Sequence, residues 1–249
     1  MDISYILESW PYDPEDNVRI IKTTDNRDVV QVRLPYGIEQ YELTNRPDGL
    51  KPDGFLSYLD KVKAALSEYV KINGSLDGFF LSADDFRALE EEATLYYYRY
   101  VHLFKLGEFE FVVADTGHNI DILEMVRSYY SGDDKINMLQ YSPYIIRMHS
   151  VASAMLLLRE QDIVSAERVL KDALDMIYST PDEDSPIYFF EKLRSVSYIN
   201  SFVSQLKDME PDPLEELKRQ LKLAIEKENY EKAAEIRDRL RRLSSDSSH

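Results

Sequence analysis

Residues 214–243 read LEELKRQLKLAIEKENYEKAAEIRDRLRRL, two apolar stripes around a polar hinge. Leu214, Leu217, Leu221, Ala224 and Ile225 recur at three- and four-residue steps and make one helical face. Residues 226–229 are polar and supply the turn. Tyr230, Ala233, Ile236, Leu240 and Leu243 then make a second face. Asp212 is placed as N-cap, Pro213 suits the first helical position, and Glu215 lies three residues after the cap, as in a capping box. Small Ala233 and Ala234 let the second helix approach a neighbour closely, with Tyr230 covering the turn. Arg237 is spaced to bridge to an acid on a facing helix, for roughly 0–1 kcal/mol if exposed. Two helices this short cannot bury both stripes against each other. The remaining apolar surface needs the rest of the chain or another protein. The segment points to association rather than to chemistry.

The run Tyr230-Glu231-Lys232-Ala233-Ala234-Glu235-Ile236-Arg237-Asp238, behind its Leu-rich helix, resembles the UVR motif. That motif occurs in the UvrB and UvrC subunits of bacterial nucleotide excision repair, in quality-control regulators such as McsA and in ClpC-type ATPases. The aromatic–Glu–x–Ala–Ala–x–x–Arg–Asp pattern matches throughout but covers about 30 of the 249 residues. The remainder carries no helicase motifs, no nuclease residues and no cysteine pairs of the McsA kind. The resemblance therefore implies a helical hairpin that makes protein–protein contacts, often by pairing with a second copy into a four-helix bundle.

The same grammar of helix, polar turn and apolar restart recurs upstream, at 106–112 and 160–166. Phe55, Leu56, Leu59, Val62, Leu66 and Val70 mark one amphipathic helix that stops at Asn73-Gly74. The next is capped by Ser82 or Asp84 and runs from Phe86 to Leu103. Phe111 to Ala114 lie in a following helix, and Ile120 to Tyr130 continue it after a break at Asp115-Thr116-Gly117. Further helices span about 144–159, 163–177 and 187–209. The 163–177 face carries Ile163, Ala166, Val169, Leu170, Ala173, Leu174 and Ile177; Phe190, Leu193, Val196, Ile199 and Val203 mark the last helix. Antiparallel pairs stacked side by side resemble tetratricopeptide-like hairpins only loosely. The restarts are 54 and 67 residues apart rather than 34, and the signature Trp and Pro are missing.

Residues 18–43 alternate as β structure, Val18-x-Ile20 and Val30-x-Val32-x-Leu34, with a turn at Thr24-Asp25-Asn26-Arg27 and a third run from Ile38 to Leu43. So small a sheet needs helices on one face. The expected class is mainly α: a helical-hairpin bundle with a small N-terminal β-hairpin or sheet and a C-terminal UVR hairpin. The expected division is 1–54 for the β element, 55–209 for the helical body, 212–243 for the hairpin and 244–249 for a frayed tail.

No run of 18 apolar residues suggests a membrane span, the first residues do not read as a signal peptide, and cysteine is absent. The cytoplasm is the default. Net charge is −16; residues 214–243 carry nine Lys/Arg against seven Asp/Glu, so the rest holds −18. Such a body repels a phosphate backbone, which argues against direct nucleic-acid binding. Of the four histidines no two have metal-ligand spacing, and no phosphate-cradling or nucleophile-elbow motif occurs. The polar group around His118 (Asp115, Asn119, Asp121) reads as a turn, Asn45-Arg46-Pro47-Asp48-Gly49 as a structural turn, Asp182-Glu183-Asp184 as an exposed loop, and Glu90-Glu91-Glu92 as a solvated face.

The expectation is a non-enzymatic interaction protein with no cofactor and no metal. Its partner is another UVR hairpin, in a self-dimer or in a component of DNA repair or protein quality control. Leu217, Leu221, Tyr230, Ala233, Ala234, Ile236 and Leu240 carry the packing, with Arg237 and Asp238 setting register. The alternatives are a helical body enclosing a ligand or active-site pocket, lined by Tyr97, Arg99, His102 and Arg46 and regulated by the hairpin, or an accessory repair factor.

Overall fold

The computed structural model describes residues 3–209 and, beyond them, 217, 221, 222, 224, 225, 232 and 234–240. The chain divides into two compact units, Met1–Asn200 and Ser201–His249. After a short helix α1 (Ser4–Ser9), strands β1 (Val18–Lys22), β2 (Asp28–Leu34) and β3 (Gly37–Glu42) form an antiparallel sheet in the order β1-β2-β3. Ile20 pairs with Val30 and Val32 with Glu39. The alternating valines make one buried face as the pattern predicts, although Val29 and Arg33 on the other face of β2 are buried too. Val18, Val30, Val32 and Tyr41 are buried in one core with Tyr100, Leu103, Phe109, Val112 and Ala152 of the helices behind the sheet. Part of the other face is held by the N-terminal segment, where Arg19 lies under Trp10 and Arg33 Nε donates to the Trp10 carbonyl at 2.7 Å.

Helix α2 (Tyr58–Asn73) begins at Ser57, whose hydroxyl accepts from the Asp60 N–H, and ends at Gly74 with φ 75°. Phe55 and Leu56, expected inside it, precede the cap and stay exposed, because a 3-10 turn at Pro52–Gly54 and the Ser57 cap fix a later start. Helix α3 (Ala83–Leu106) opens with a complete Ser82/Asp85 capping box and closes at Gly107, φ 76°.

Helix α4 (Phe109–Tyr129) runs unbroken through Asp115-Thr116-Gly117, where the sequence suggested a break. Tertiary partners decide this. Asp115 is drawn into a buried ion pair with Arg99, and the Thr116 hydroxyl donates to the Val112 carbonyl one turn back at 2.6 Å. Turn-forming side chains whose hydrogen bonds are met in this way no longer compete with the helix.

Then follow α5 (Ile136–Leu139), α6 (Ser142–Arg159), α7 (Ile163–Ser179) and α8 (Pro186–Met209). Helices α3 and α4 pack as a hairpin across Gly107-Glu108, and α6 and α7 across Glu160-Gln161-Asp162, where Gln161 takes φ 62°. α4 packs on α6, and α2 lies against α3. These are two of the three restarts read from the sequence; residues 228–231 of the third lie outside the described residues. On α8, Ile199 is fully buried, but Phe190 and Leu193 are 62% and 72% exposed. The acidic loop is only partly exposed: Arg127 Nη2 reaches Glu183 at 3.1 Å, and Ser185 is buried.

Candidate functional site

The buried polar residues of the body hold elements together. Arg99 is forked onto Asp115 at 2.8 and 2.6 Å and donates its remaining arm to the carbonyls of Glu42 and Asn45. It thereby ties α3 to α4 and to the loop after the sheet. Burial pushes the Asp115 carboxyl up in pKa against the pull of Arg99. Glu92, expected on a solvated face, is fully buried. Its carboxylate accepts from the backbone N–H groups of Tyr58 and Leu59 at 2.6 and 3.0 Å and lies 3.0 Å from His118 Nε2. Burial raises its pKa, but these hydrogen bonds outweigh it and the net shift is downward. Placed at the first turn of α2, Glu92 meets two orphan N–H groups and the positive end of that helix.

Arg46 joins Glu92 to Asp48, so the Asn45–Gly49 loop serves as a structural turn. The polar group around His118 lies within α4 rather than in a turn, and it scatters. Asp115 goes to Arg99, Asn119 Nδ2 to the Ala93 carbonyl, Asp121 to Lys63, and His118 to Glu92 under a stacked Tyr96. Of this group only Asn119, which is no base, lines either of the two clefts described below. The imagined pocket of Tyr97, Arg99, His102 and Arg46 does not form either. Arg99 and Arg46 are spent on internal pairs, and His102 stacks on Tyr41. Tyr97 alone lines a cleft, of about 420 Å³, together with Tyr100, Asn119, Tyr144, Glu191 and Arg194. The sequence reading missed Asn119, Tyr144, Arg147, Glu191 and Arg194 as cleft residues. One signal was available: Arg147 is a lone arginine inside the apolar run Pro143–Leu158.

In the second unit, Leu217, Ala224 and Ile236 are buried in one cluster, with Leu221 and Leu240 packed against it. These members of the two apolar stripes thus meet each other, while Ile225 of the first stripe is exposed. Ala234 is exposed. Arg237 is exposed too, and its Nη2 lies 3.3 Å from Oδ1 of its neighbour Asp238; the acids of the first hairpin helix lie outside the described residues. Tyr230 and Ala233 lie outside the described residues. Among the described residues no cluster of three metal-ligating side chains occurs, and no helix is long and apolar enough to cross a membrane.

A helical body preceded by a small sheet and followed by an apolar-cored hairpin defines the architecture. The hairpin is a known element: the family model of the UvrB/uvrC motif matches residues 212–246, so the chain carries a UVR motif. That motif is associated with repair of the UvrB/UvrC type and with protein interaction. No curated protein and no solved structure matches the chain.

Proposed function

We propose that this chain is a non-enzymatic adaptor of the bacterial cytoplasm that pairs its UVR hairpin with another one. The partner hairpin belongs to a second copy of the chain or to a component of DNA repair or protein quality control. The observation that carries this reading is the division of labour inside the motif. Leu217, Leu221, Ala224, Ile236 and Leu240 gather into the hairpin's own core, while Ala234 remains exposed on the second helix. A small exposed residue beside a formed core lets a partner helix approach closely. On this reading Tyr230 and Ala233 extend the contact, and Arg237 with Asp238 fixes its register. Strong negative charge on the rest of the chain favours a protein partner over nucleic acid.

The test is sedimentation of the full chain alone and mixed with isolated UVR hairpins of UvrB, UvrC and ClpC type. The parent chain should form a self-dimer or a one-to-one complex with one hairpin, and Ala234→Glu should abolish it while circular dichroism stays unchanged. A monomer that ignores all of these hairpins, or an Ala234→Glu variant that pairs as the parent does, would overturn the proposal.

A further inference from the structure

Arg147 is the least expected charge in the helical body. It is 6% exposed, yet its guanidinium makes no hydrogen bond among the described residues. Its ion-pair partner Glu191 holds Oε2 4.0 Å from Nη2, beyond hydrogen-bond reach, and that oxygen is itself buried without a hydrogen bond. The guanidinium is held instead by two ring faces, 5.1 Å from the centroid of Tyr144 and 5.5 Å from that of Tyr198. A guanidinium fork with no acceptor among the described residues keeps its N–H donors for whatever enters the space beside it.

That fork borders a cleft of about 540 Å³, whose wall also carries Arg194 and Ser197. Arg194 Nη1 stands 3.7 Å from Glu191 Oε1, again too far for a hydrogen bond. Two guanidiniums therefore share one carboxylate that satisfies neither. Burial first, and Arg194 next, push the Arg147 pKa down against the pull of Glu191; an incoming anion would offset both effects. The 420 Å³ cleft adjoins this one, sharing Tyr144 and Arg194. It offers the rings of Tyr97, Tyr98, Tyr100 and Tyr141, and Asn119 in its wall. Asn119 Nδ2 is committed to the Ala93 carbonyl, which leaves Oδ1 buried with no donor. One cleft thus offers donors with no acceptor, and the other an acceptor with no donor among tyrosine rings. Each cleft falls in the size range of small-molecule sites.

We propose that the adjoining clefts bind one small molecule in which a phosphate or carboxylate is attached to a flat ring bearing an N–H. The anion lies on Arg147 and Arg194, the ring among the tyrosines, and the N–H on Asn119 Oδ1. The guanidinium fork suits planar or tetrahedral oxyanions, and tyrosine faces stack on flat rings.

Calorimetric titration of the full chain tests this with four probes: adenosine 5′-monophosphate for the phosphate source, orotate for the carboxylate source, and inorganic phosphate and adenosine as the separate halves. One of the first two should bind at least about ten-fold more tightly than inorganic phosphate or adenosine does. Arg194→Gln removes an exposed side chain and should leave the fold intact while weakening that probe about ten-fold or more. Glu191→Gln removes the competing carboxylate and should tighten binding several-fold, a gain that a merely structural ion pair would not produce. Ala234→Glu should bind as the parent does, which separates this site from the hairpin. No heat from any probe at about millimolar concentration, or equal binding by the parent and Arg194→Gln, would overturn the proposal, as would loss rather than gain in a folded Glu191→Gln.

Discussion

Arg99 shows how far one side chain reaches. It neutralises Asp115 inside the body and also meets the carbonyls of Glu42, at the end of β3, and of Asn45 just after it. Removing one member of a buried pair leaves an uncompensated charge, which typically costs about 3–5 kcal/mol. Arg99→Met should therefore lower the stability measured by urea unfolding by about that amount, and Arg99→Met with Asp115→Leu should recover part of it. If the double variant is no more stable than the single one, the two carbonyls rather than Asp115 account for the loss. Part of this network was legible. Phe86, Leu89, Glu92, Tyr96, Arg99 and Leu103 recur at three- and four-residue steps, and all are buried. The two charges sat on the apolar stripe, and that placement should have outweighed the Glu90-Glu91-Glu92 run. Their partners were not legible, because Tyr58, Asp115 and Asn45 come from elements that only the fold brings near.

At the scale of elements, punctuation carried the most information. Ser82, Gly74 and Gly107 each end or begin a helix where the sequence placed the boundary, since a capping hydroxyl or a positive φ acts locally. Gly107 sits at φ 76°, and an added Cβ would stand 3.5 Å from Arg159, so space is not the limit. Gly107→Ala should cost about 1–2 kcal/mol through the left-handed backbone alone. The urea midpoint should fall with the m-value unchanged; a changed m-value would mean that the α3–α4 hairpin itself had opened. Ser82→Ala should cost about 1 kcal/mol by the same measurement. Asp115-Thr116-Gly117 misled for the complementary reason: its turn propensity is local, while Arg99, which overrules it, is 16 residues away. In the hairpin, periodicity found the cluster of Leu217, Ala224 and Ile236, but it did not show which way Ala234 and Arg237 face. That depends on how the two helices roll against each other.

For the molecule as a whole, the histidines set the response to pH near neutrality. His102 and His149 both have their pKa lowered, each by burial foremost. The Thr116 hydroxyl donates to the Val112 carbonyl and lies 3.0 Å from His149 Nδ1, an arrangement that suits a neutral ring donating through that nitrogen. The sign follows directly. Above the ordinary histidine pKa of about 6.5 both folded and unfolded chains hold neutral rings, and nothing is lost. As pH falls below it, the unfolded chain takes up protons that the buried rings refuse, and stability drops until the folded values are reached. Glu92 acts lower on the scale: its depressed pKa gives stability above the ordinary carboxylate range that is lost as pH falls through the folded value. The charge of −16 pulls the other way, since acid relieves self-repulsion, but the carboxylates responsible titrate mainly near pH 4. Between about pH 6.5 and 5.5 the histidines should therefore dominate. Thermal melts followed by the fluorescence of Trp10, the single tryptophan, should show Tm falling across that window, and His149→Gln should flatten the fall. If a variant lacking both His102 and His149 keeps the whole slope, burial of these two rings is not its cause.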